Sequence, residues 1–120
     1  MSAFFRSFVY AWKGIQLSLK QRNFKIQIAA GLLSIILGFI FKINWGEWCI
    51  ILICIGAVLT LEMLNTALEL LVDLVSPGFN EKAGRIKDLA AGAVLITSIF
   101  SAVIGLIIFG KHLLSLLGKI

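Results

Sequence analysis

The sequence has few of the residues with which catalytic and metal sites are usually built. It contains two cysteines, one histidine and one proline in 120 residues. Cys49 and Cys54 are five positions apart on one predicted helix, where they project in different directions and cannot form a disulfide. We therefore interpret both as apolar packing residues. The sequence also contains no His/Cys metal motif, no catalytic triad and no dinucleotide-binding fingerprint.

Hydrophobic residues are abundant instead. They make up 60% of the chain, charged residues make up 14%, and the mean hydropathy is +1.03. Soluble domains are usually about 45–50% apolar, so this composition predicts a small integral membrane protein with a single domain over residues 1–120. We expect no cleaved signal peptide, because the N-terminal region is amphipathic and basic and has no short apolar segment before a cleavage site.

The basic residues are distributed unevenly around the apolar stretches. Eight of the eleven precede the first apolar stretch or lie before the third, namely Arg6, Lys13, Lys20, Arg22, Lys25, Lys82, Arg85 and Lys87. The other three are Lys42, Lys111 and Lys119. The positive-inside rule then predicts a cytoplasmic N-terminus and second loop, and an external C-terminus. Because these cations flank the predicted spans as membrane anchors do, we expect no nucleic-acid partner.

The apolar pattern predicts an all-α membrane protein with a surface helix and three spans. Residues 2–21 carry aromatic residues on one face and basic residues on another, which is typical of a helix in the membrane interface. The spans are predicted at about residues 26–41, 48–75 and 89–109. Lys42–Glu47 forms the outer turn.

The segments that follow the second and third spans are predicted to lie outside the membrane. Pro77 and its neighbours end the second span, and a polar cytoplasmic loop continues to Asp88. The tail Gly110–Ile120 emerges on the outer side, where we expect His112 to be an interfacial surface residue.

A stripe of polar residues runs along the second span. Its members lie 3, 4, 7 and 11 positions after the first, and they are Glu62, Asn65, Thr66, Glu69 and Asp73. On a helix they share one face about 100° wide. Ionisable residues inside a span mark a functional site. The stripe is about 16 Å long, with Glu62 deepest in the membrane and Asp73 nearest the cytosol, so it connects lipid depth to water.

These residue types suit more than one chemistry. Carboxylate and amide oxygens are ligands that Mg²⁺ takes together with substrate phosphates. Glu62 could act as the base for a hydroxyl at lipid depth. Lys87 could neutralise the charge of a phosphate. The same acids could carry protons or cations through a small transporter, although the spans show neither the breaks nor the repeats typical of one. Because three spans cannot enclose five polar groups, we expect an oligomer with sites between subunits.

The sequence resembles the bacterial diacylglycerol kinase and undecaprenol kinase family. The resemblance rests on L-E-M-L-N-T-A-L-E-L-L-V-D-L-V-S-P, on K-D-L-A-A-G-A-V-L and on the N-terminal F-F-R-S-F-V-Y-A-W-K-G-I, and it extends from about Phe4 to Phe109. It implies a homotrimeric helical bundle in the bacterial inner membrane. It also implies transfer of the ATP γ-phosphate to a lipid hydroxyl with Mg²⁺. The V-D-L-V-S-P and A-A-G-A-V-L segments are more similar to the undecaprenol branch than to the diacylglycerol branch.

The resemblance also implies roles for particular residues. Glu62 corresponds to the catalytic base and Glu69 to a metal ligand. Polar positions that bind the nucleotide or support the site correspond to Asn65, Asp73, Lys87 and Asp88. Positions near the nucleotide correspond to Tyr10, Gly78, Phe79 and Asn80. The family's second metal-binding glutamate corresponds to Gln21, which offers a carbonyl oxygen but no charge. This departure leaves open a weaker metal site, a carboxylate from elsewhere, or a catalytically impaired member of the family.

Overall fold

The protein is all-helical, as predicted. In the computed structural model, residues 2–119 form four α-helices: α1 Ala3–Ser18, α2 Arg22–Ile40, α3 Trp45–Val75 and α4 Glu81–Leu117. Met1 and Ile120, the ends of the predicted domain, lie outside the described residues. Helices α2, α3 and α4 have 19, 31 and 37 residues, and each is long and apolar enough to cross a membrane. Each predicted span overlaps one of these three helices.

Helix α4 is longer at both ends than the sequence pattern predicts. The predicted loop as far as Asp88 is wrong, since the non-helical link ends at Asn80. The Asn80 side chain accepts a hydrogen bond of 3.1 Å from the backbone N–H of Ala83, which is a normal N-cap. Glu81 and Arg85 then form an ion pair of 3.0 Å one turn apart. At the other end the helix continues through Leu117, so most of the predicted tail is helical.

A tight turn joins α2 to α3. Asn44 accepts a hydrogen bond of 2.9 Å from the backbone of Glu47, and the Glu47 carboxylate accepts one of 3.1 Å from the backbone of Asn44. This reciprocal pair is a capping box. A Cβ atom at Gly38 would lie 2.5 Å from the Trp48 ring, so glycine is needed there for Trp48 to pack on α2. These contacts fix the α2–α3 hairpin.

The same carboxylate anchors the far end of α4. Glu47 has a side chain that is only 8% exposed, and it lies 2.8 Å from the Lys111 ammonium and 3.1 Å from the His112 ring. The prediction of His112 as a surface residue is wrong, because that side chain is 26% exposed and bonded to α3. A small apolar cluster of Ile43, Ile51 and Ile108 packs at this end of the molecule.

Most of the apolar surface of the helices remains exposed in the single chain. The buried hydrophobic residues are few, namely Phe24, Ile43, Ile51, Val72, Val94 and Ile108. Exposed apolar surface of this extent fits contact with lipid or with another membrane helix. Helix α1 exposes Phe4, Phe5, Phe8 and Trp12. Its location in the membrane interface stays a prediction.

Candidate functional site

The exposure of the side chains rises along the polar stripe of α3 from Glu62 to Asp73. Glu62 is 4% exposed and Asn65 is 8% exposed, whereas the Asp73 side chain is 61% exposed. Thr66 donates a hydrogen bond of 3.1 Å to the backbone carbonyl of Glu62, so its hydroxyl is satisfied within α3. The stripe therefore extends from a buried carboxylate to an exposed one on a single helix.

The buried carboxylate contacts a residue of α2 that the sequence analysis missed. Gln27 donates a hydrogen bond of 3.3 Å from its Nε2 to Oε2 of Glu62. Within residues 2–119, Oε1 of Gln27 is buried and has no hydrogen-bond partner. The only signal in the sequence is an amide side chain near the start of an otherwise apolar span.

A second amide–carboxylate pair lies one turn further along α3. Asn65 donates a hydrogen bond of 3.2 Å from Nδ2 to Oε1 of Glu69. A carboxylate only accepts hydrogen bonds, which assigns the orientation of the amide. Oδ1 of Asn65 is therefore left as an acceptor, and it is buried without a partner among the described residues. An unsatisfied buried acceptor costs about 1–3 kcal/mol.

This second pair offers two oxygen ligands of the kind that Mg²⁺ takes from proteins. Mg²⁺ is usually held by one or two carboxylates together with substrate phosphates and water. Glu69 supplies a carboxylate, and the unpartnered Oδ1 of Asn65 supplies a neutral oxygen. Among residues 2–119, no group of three or more His, Cys, Asp and Glu side chains is arranged to hold a metal ion. The residues present therefore fit a metal that takes further ligands from a nucleotide.

An ion pair joins α3 to α4 at the exposed end of the stripe. The Lys87 ammonium lies 2.5 Å from Oδ1 of Asp73, with side chains 37% and 61% exposed. Exposed pairs of this kind contribute about 0–1 kcal/mol to stability. The main effect of the contact is to hold a lysine beside the end of the stripe.

The other predicted site residues lie at the surface of the single chain. Gly78 and Phe79 are exposed in the link Ser76–Asn80, and Asp88 is exposed on α4. Tyr10 is 65% exposed on α1, with the Lys13 ammonium 5.7 Å from its ring centroid. Gln21 is the exposed N-cap residue of α2, but its side chain makes no capping hydrogen bond. The site roles of all these residues stay predictions.

An apolar cavity of about 470 Å³ lies between α2, α3 and α4. Gln27 contributes to its wall together with Gly31, Ile55 and Phe109. The volume lies in the range of roughly 300–1,000 Å³ that is typical of ligand pockets. The cavity extends from Gln27, which contacts Glu62, toward Phe109 of α4.

These features define a small helical membrane protein with an acidic site that is buried at one end and exposed at the other. Residues 9–109 match the family model described as prokaryotic diacylglycerol kinase. The chain therefore belongs to the prokaryotic diacylglycerol kinase family, as the resemblance predicted. Membership makes it a lipid kinase of the bacterial membrane, that is, a phosphotransferase with an alcohol as the acceptor.

The similar proteins include both named activities of the family. The chain is 42% identical over 110 residues to the undecaprenol kinase of Bacillus subtilis strain 168, covering 91% of this chain and 89% of that one. It is 37% identical over 113 residues to a diacylglycerol kinase of Synechocystis, covering 92% and 65%. It is 27% identical over 104 residues to the diacylglycerol kinase of Escherichia coli K12, covering 86% and 85%.

Proposed function

We propose that this protein transfers the γ-phosphate of ATP to the hydroxyl of undecaprenol at the cytoplasmic face of the bacterial inner membrane. The observation that supports this reaction most directly is the stripe on α3, which joins the buried Glu62 to the exposed Asp73. One substrate is a lipid and the other is soluble in water, so a site must reach both environments. The 42% identity to a protein named undecaprenol kinase supports the choice of lipid.

Glu62 acts as the general base in this proposal. Its carboxylate is buried, and the hydrogen bond from Gln27 engages only one of its two oxygens. The free oxygen can accept the proton of a lipid hydroxyl as that hydroxyl attacks the phosphate. A positioned base of this kind contributes typically 10²–10⁴-fold to the rate.

Asn65 and Glu69 hold Mg²⁺ and thereby the phosphate end of the nucleotide. When bound, the metal neutralises charge on the transferred phosphate. Lys87 adds a second positive charge from α4, and Asp73 holds it in place through their ion pair. On the nucleotide side the proposal also includes Asp88, the link residues Gly78, Phe79 and Asn80, and Tyr10 of α1. Gln21 contributes at most an amide oxygen to the metal.

The site is completed between subunits of a homotrimer in this proposal. One observation supports it: large apolar faces of the helices are exposed in the single chain. Helix α1 lies in the inner membrane interface with its aromatic side chains in lipid. The N-terminus and the link Ser76–Asn80 are then cytoplasmic, and the C-terminus is external.

A phosphorylation assay tests the proposal. Purified protein in mixed micelles receives ATP labelled at the γ-phosphate, Mg²⁺, and either undecaprenol or diacylglycerol. We expect label in the polyprenol product at a higher kcat/KM than in the diacylglycerol product. Label in neither lipid would refute phosphotransfer, and label in diacylglycerol alone would refute the choice of lipid.

A further inference from the structure

Two serine hydroxyls of α4 line the apolar cavity without a hydrogen-bond partner. Ser98 and Ser101 contribute to the wall, and neither side chain makes a hydrogen bond within residues 2–119. A serine in a helix can satisfy its hydroxyl at the carbonyl four residues earlier, as Ser34 of the same wall does with Ala30 at 2.9 Å. Neither serine oxygen of α4 belongs to the buried unpartnered atoms described above, so both are open to a molecule in the cavity.

Ser98 lies opposite the proposed base. Lys87 of α4 contacts Asp73 of α3, and Ser98 follows Lys87 by 11 positions just as Glu62 precedes Asp73 by 11. Eleven residues make three helical turns to within about 20°. On each helix the deeper residue therefore shares a face with its member of the ion pair. Because α3 and α4 are antiparallel, Ser98 and Glu62 lie at the same level on facing sides.

A second contact between the helices gives the same register. Glu47 of α3 lies 3.1 Å from His112 of α4. Glu62 follows Glu47 by 15 positions, and Ser98 precedes His112 by 14. The two helices are thus in contact on both sides of this level, where packed helix axes are about 8–10 Å apart. No direct hydrogen bond joins Ser98 to Glu62 among the described residues, and one oxygen of Glu62 is free. A small polar group between the two side chains would contact both.

We propose that Ser98 binds the acceptor alcohol, with its hydroxyl donating a hydrogen bond to the oxygen that attacks the phosphate. The inference rests on the proposed phosphotransfer to a lipid hydroxyl. In that transfer the alcohol oxygen forms a bond to the γ-phosphorus, the bond from this phosphorus to the bridging oxygen breaks, and ADP leaves with the electron pair. The proton of the alcohol passes to Glu62, and Ser98 keeps its own proton. Ser98 thereby holds the attacking oxygen beside the base.

The cavity receives the hydrocarbon chain next to this hydroxyl. Its wall is apolar and extends from Gln27 toward Phe109. Undecaprenol and diacylglycerol both carry a free hydroxyl, so Ser98 binds the group that the two lipids share and serves either of them. Ser101 lies about 4.5 Å further along the axis of α4, beyond the level of the base. It therefore contributes less than Ser98 to holding the alcohol.

The cavity wall offers matched substitutions. Ser98→Ala removes only the hydroxyl, and Ser98→Cys refills the space with a weak donor. Ser34→Ala is the control, because Ser34 lines the same cavity but its hydroxyl is already bonded to Ala30. Ser101→Ala tests the level at which the alcohol binds. Thermal unfolding and ATP binding confirm that each variant is folded.

The readout is the kinetics in mixed micelles with the lipid and ATP varied in turn. For Ser98→Ala we expect kcat/KM for the lipid to fall about tenfold, the effect of losing one hydrogen bond of about 1.4 kcal/mol. The factor should be the same for each lipid that the protein phosphorylates, and the KM for ATP should stay within about twofold. Ser98→Cys should lose nearly as much as Ser98→Ala. Ser34→Ala should match the unmodified protein, and Ser101→Ala should lose less than about threefold.

The outcomes separate this inference from the proposed function. Equal kinetics of Ser98→Ala and Ser34→Ala would overturn the inference. Full activity of Ser98→Cys would do the same, because the side chain would then act by filling space. A larger loss in Ser101→Ala than in Ser98→Ala would place the alcohol at another level and also refute the role of Ser98. If the unmodified protein labels neither lipid, the proposed phosphotransfer fails, and the inference fails with it.

Discussion

Two buried glutamates, Glu47 in the first turn of α3 and Glu62 near its middle, differ in how fully their carboxylates are satisfied. Glu47 and Glu62 are 6% and 4% exposed, and they are about 22 Å apart along the helix. Glu47 accepts from the Asn44 backbone and lies within 3.1 Å of both Lys111 and His112. Among residues 2–119, Glu62 receives one side-chain hydrogen bond, from the neutral amide of Gln27. Burial alone therefore does not distinguish the two residues.

The difference in hydrogen bonding indicates different roles for the Glu47 and Glu62 carboxylates. Glu47 has a cationic partner in Lys111, a further contact with the His112 ring and a backbone donor in Asn44, and it holds the α2–α3 turn against the end of α4. A buried carboxylate with one neutral donor, close to unpartnered oxygens of Gln27 and Asn65, is compensated only in part. Buried polar groups are normally satisfied, so the exceptions call for a functional explanation.

Removing the charge of Glu62 should give the largest effect on activity and a small effect on stability. Glu62→Gln keeps the shape of the side chain but cannot take up the proton of the hydroxyl. We expect kcat to fall by at least about 10³-fold, within the range for loss of a general base. ATP binding, measured by titration calorimetry in detergent, should change less than about twofold. Loss of ATP binding together with turnover would contradict the assignment.

Removing the Glu47 carboxylate should have a large effect on stability and a small effect on activity. In Glu47→Ala the capping bond to Asn44 and the contacts with Lys111 and His112 are lost, and the partly exposed Lys111 recovers some hydration. We expect a destabilisation of about 2 kcal/mol, which lowers the midpoint of thermal unfolding by about 5–10 °C. The kcat at low temperature should remain within about threefold. An unchanged midpoint would show that the contacts of Glu47 with Asn44, Lys111 and His112 do not stabilise the fold.

Glu81→Ala is the matched control for Glu47→Ala, because Glu81 also forms an ion pair. Glu81 pairs with Arg85 at 3.0 Å, but both side chains are at least 70% exposed. Exposed pairs are worth at most about 1 kcal/mol. Glu81→Ala should therefore lower the unfolding midpoint much less than Glu47→Ala does.

The proposed metal site should respond to a change of charge at Glu69. Glu69→Gln retains an oxygen that can accept from Asn65 but removes the negative charge that attracts a cation. We expect the Mg²⁺ concentration for half-maximal activity to rise about tenfold or more, with activity partly recovered at high Mg²⁺. A Mg²⁺ titration of the variant measures this. An unchanged titration curve would argue against Glu69 as a ligand.

The smallest effect is expected at Gln21, the position at which the family resemblance implies a metal-binding glutamate. Gln21 is exposed and its side chain makes no capping hydrogen bond, so a charge can be introduced there without disturbing packing. Gln21→Glu should lower the Mg²⁺ requirement and raise kcat by a few-fold, in the same titration. No gain would show that this protein compensates for the amide. A gain of many orders of magnitude would identify the natural chain as catalytically impaired.

The sequence predicted the features that depend on one helix. The polar stripe from Glu62 to Asp73 follows from helical periodicity, and its gradient of burial follows from the position of the stripe near one end of a span. The start of α4 could also have been predicted, because the N-cap residue Asn80 precedes Glu81 and Arg85 follows one turn later. The polarity of that segment and the neighbouring Pro77 led instead to the prediction of a loop.

Contacts between helices could not be predicted in the same way. Gln27 and Glu62 are 35 residues apart, and Glu47 and His112 are 65 residues apart. Each contact depends on the register between two helices, which side-chain packing determines and periodicity within one helix does not. The partners of a buried charge therefore became known only from the structure, although the charge itself was conspicuous in the sequence.

The unequal lengths of α2 and α3 have a consequence for the proposed reaction. The hydrogen bond between Gln27 and Glu62 aligns the two helices. Since α2 begins at Arg22, α3 continues roughly 12 Å past that level before it ends at Val75. The nucleotide can then remain in the aqueous phase and the polyprenol in the hydrocarbon phase throughout a turnover. Only the phosphoryl group changes phase, and the product is left with its new charge at the boundary between the two.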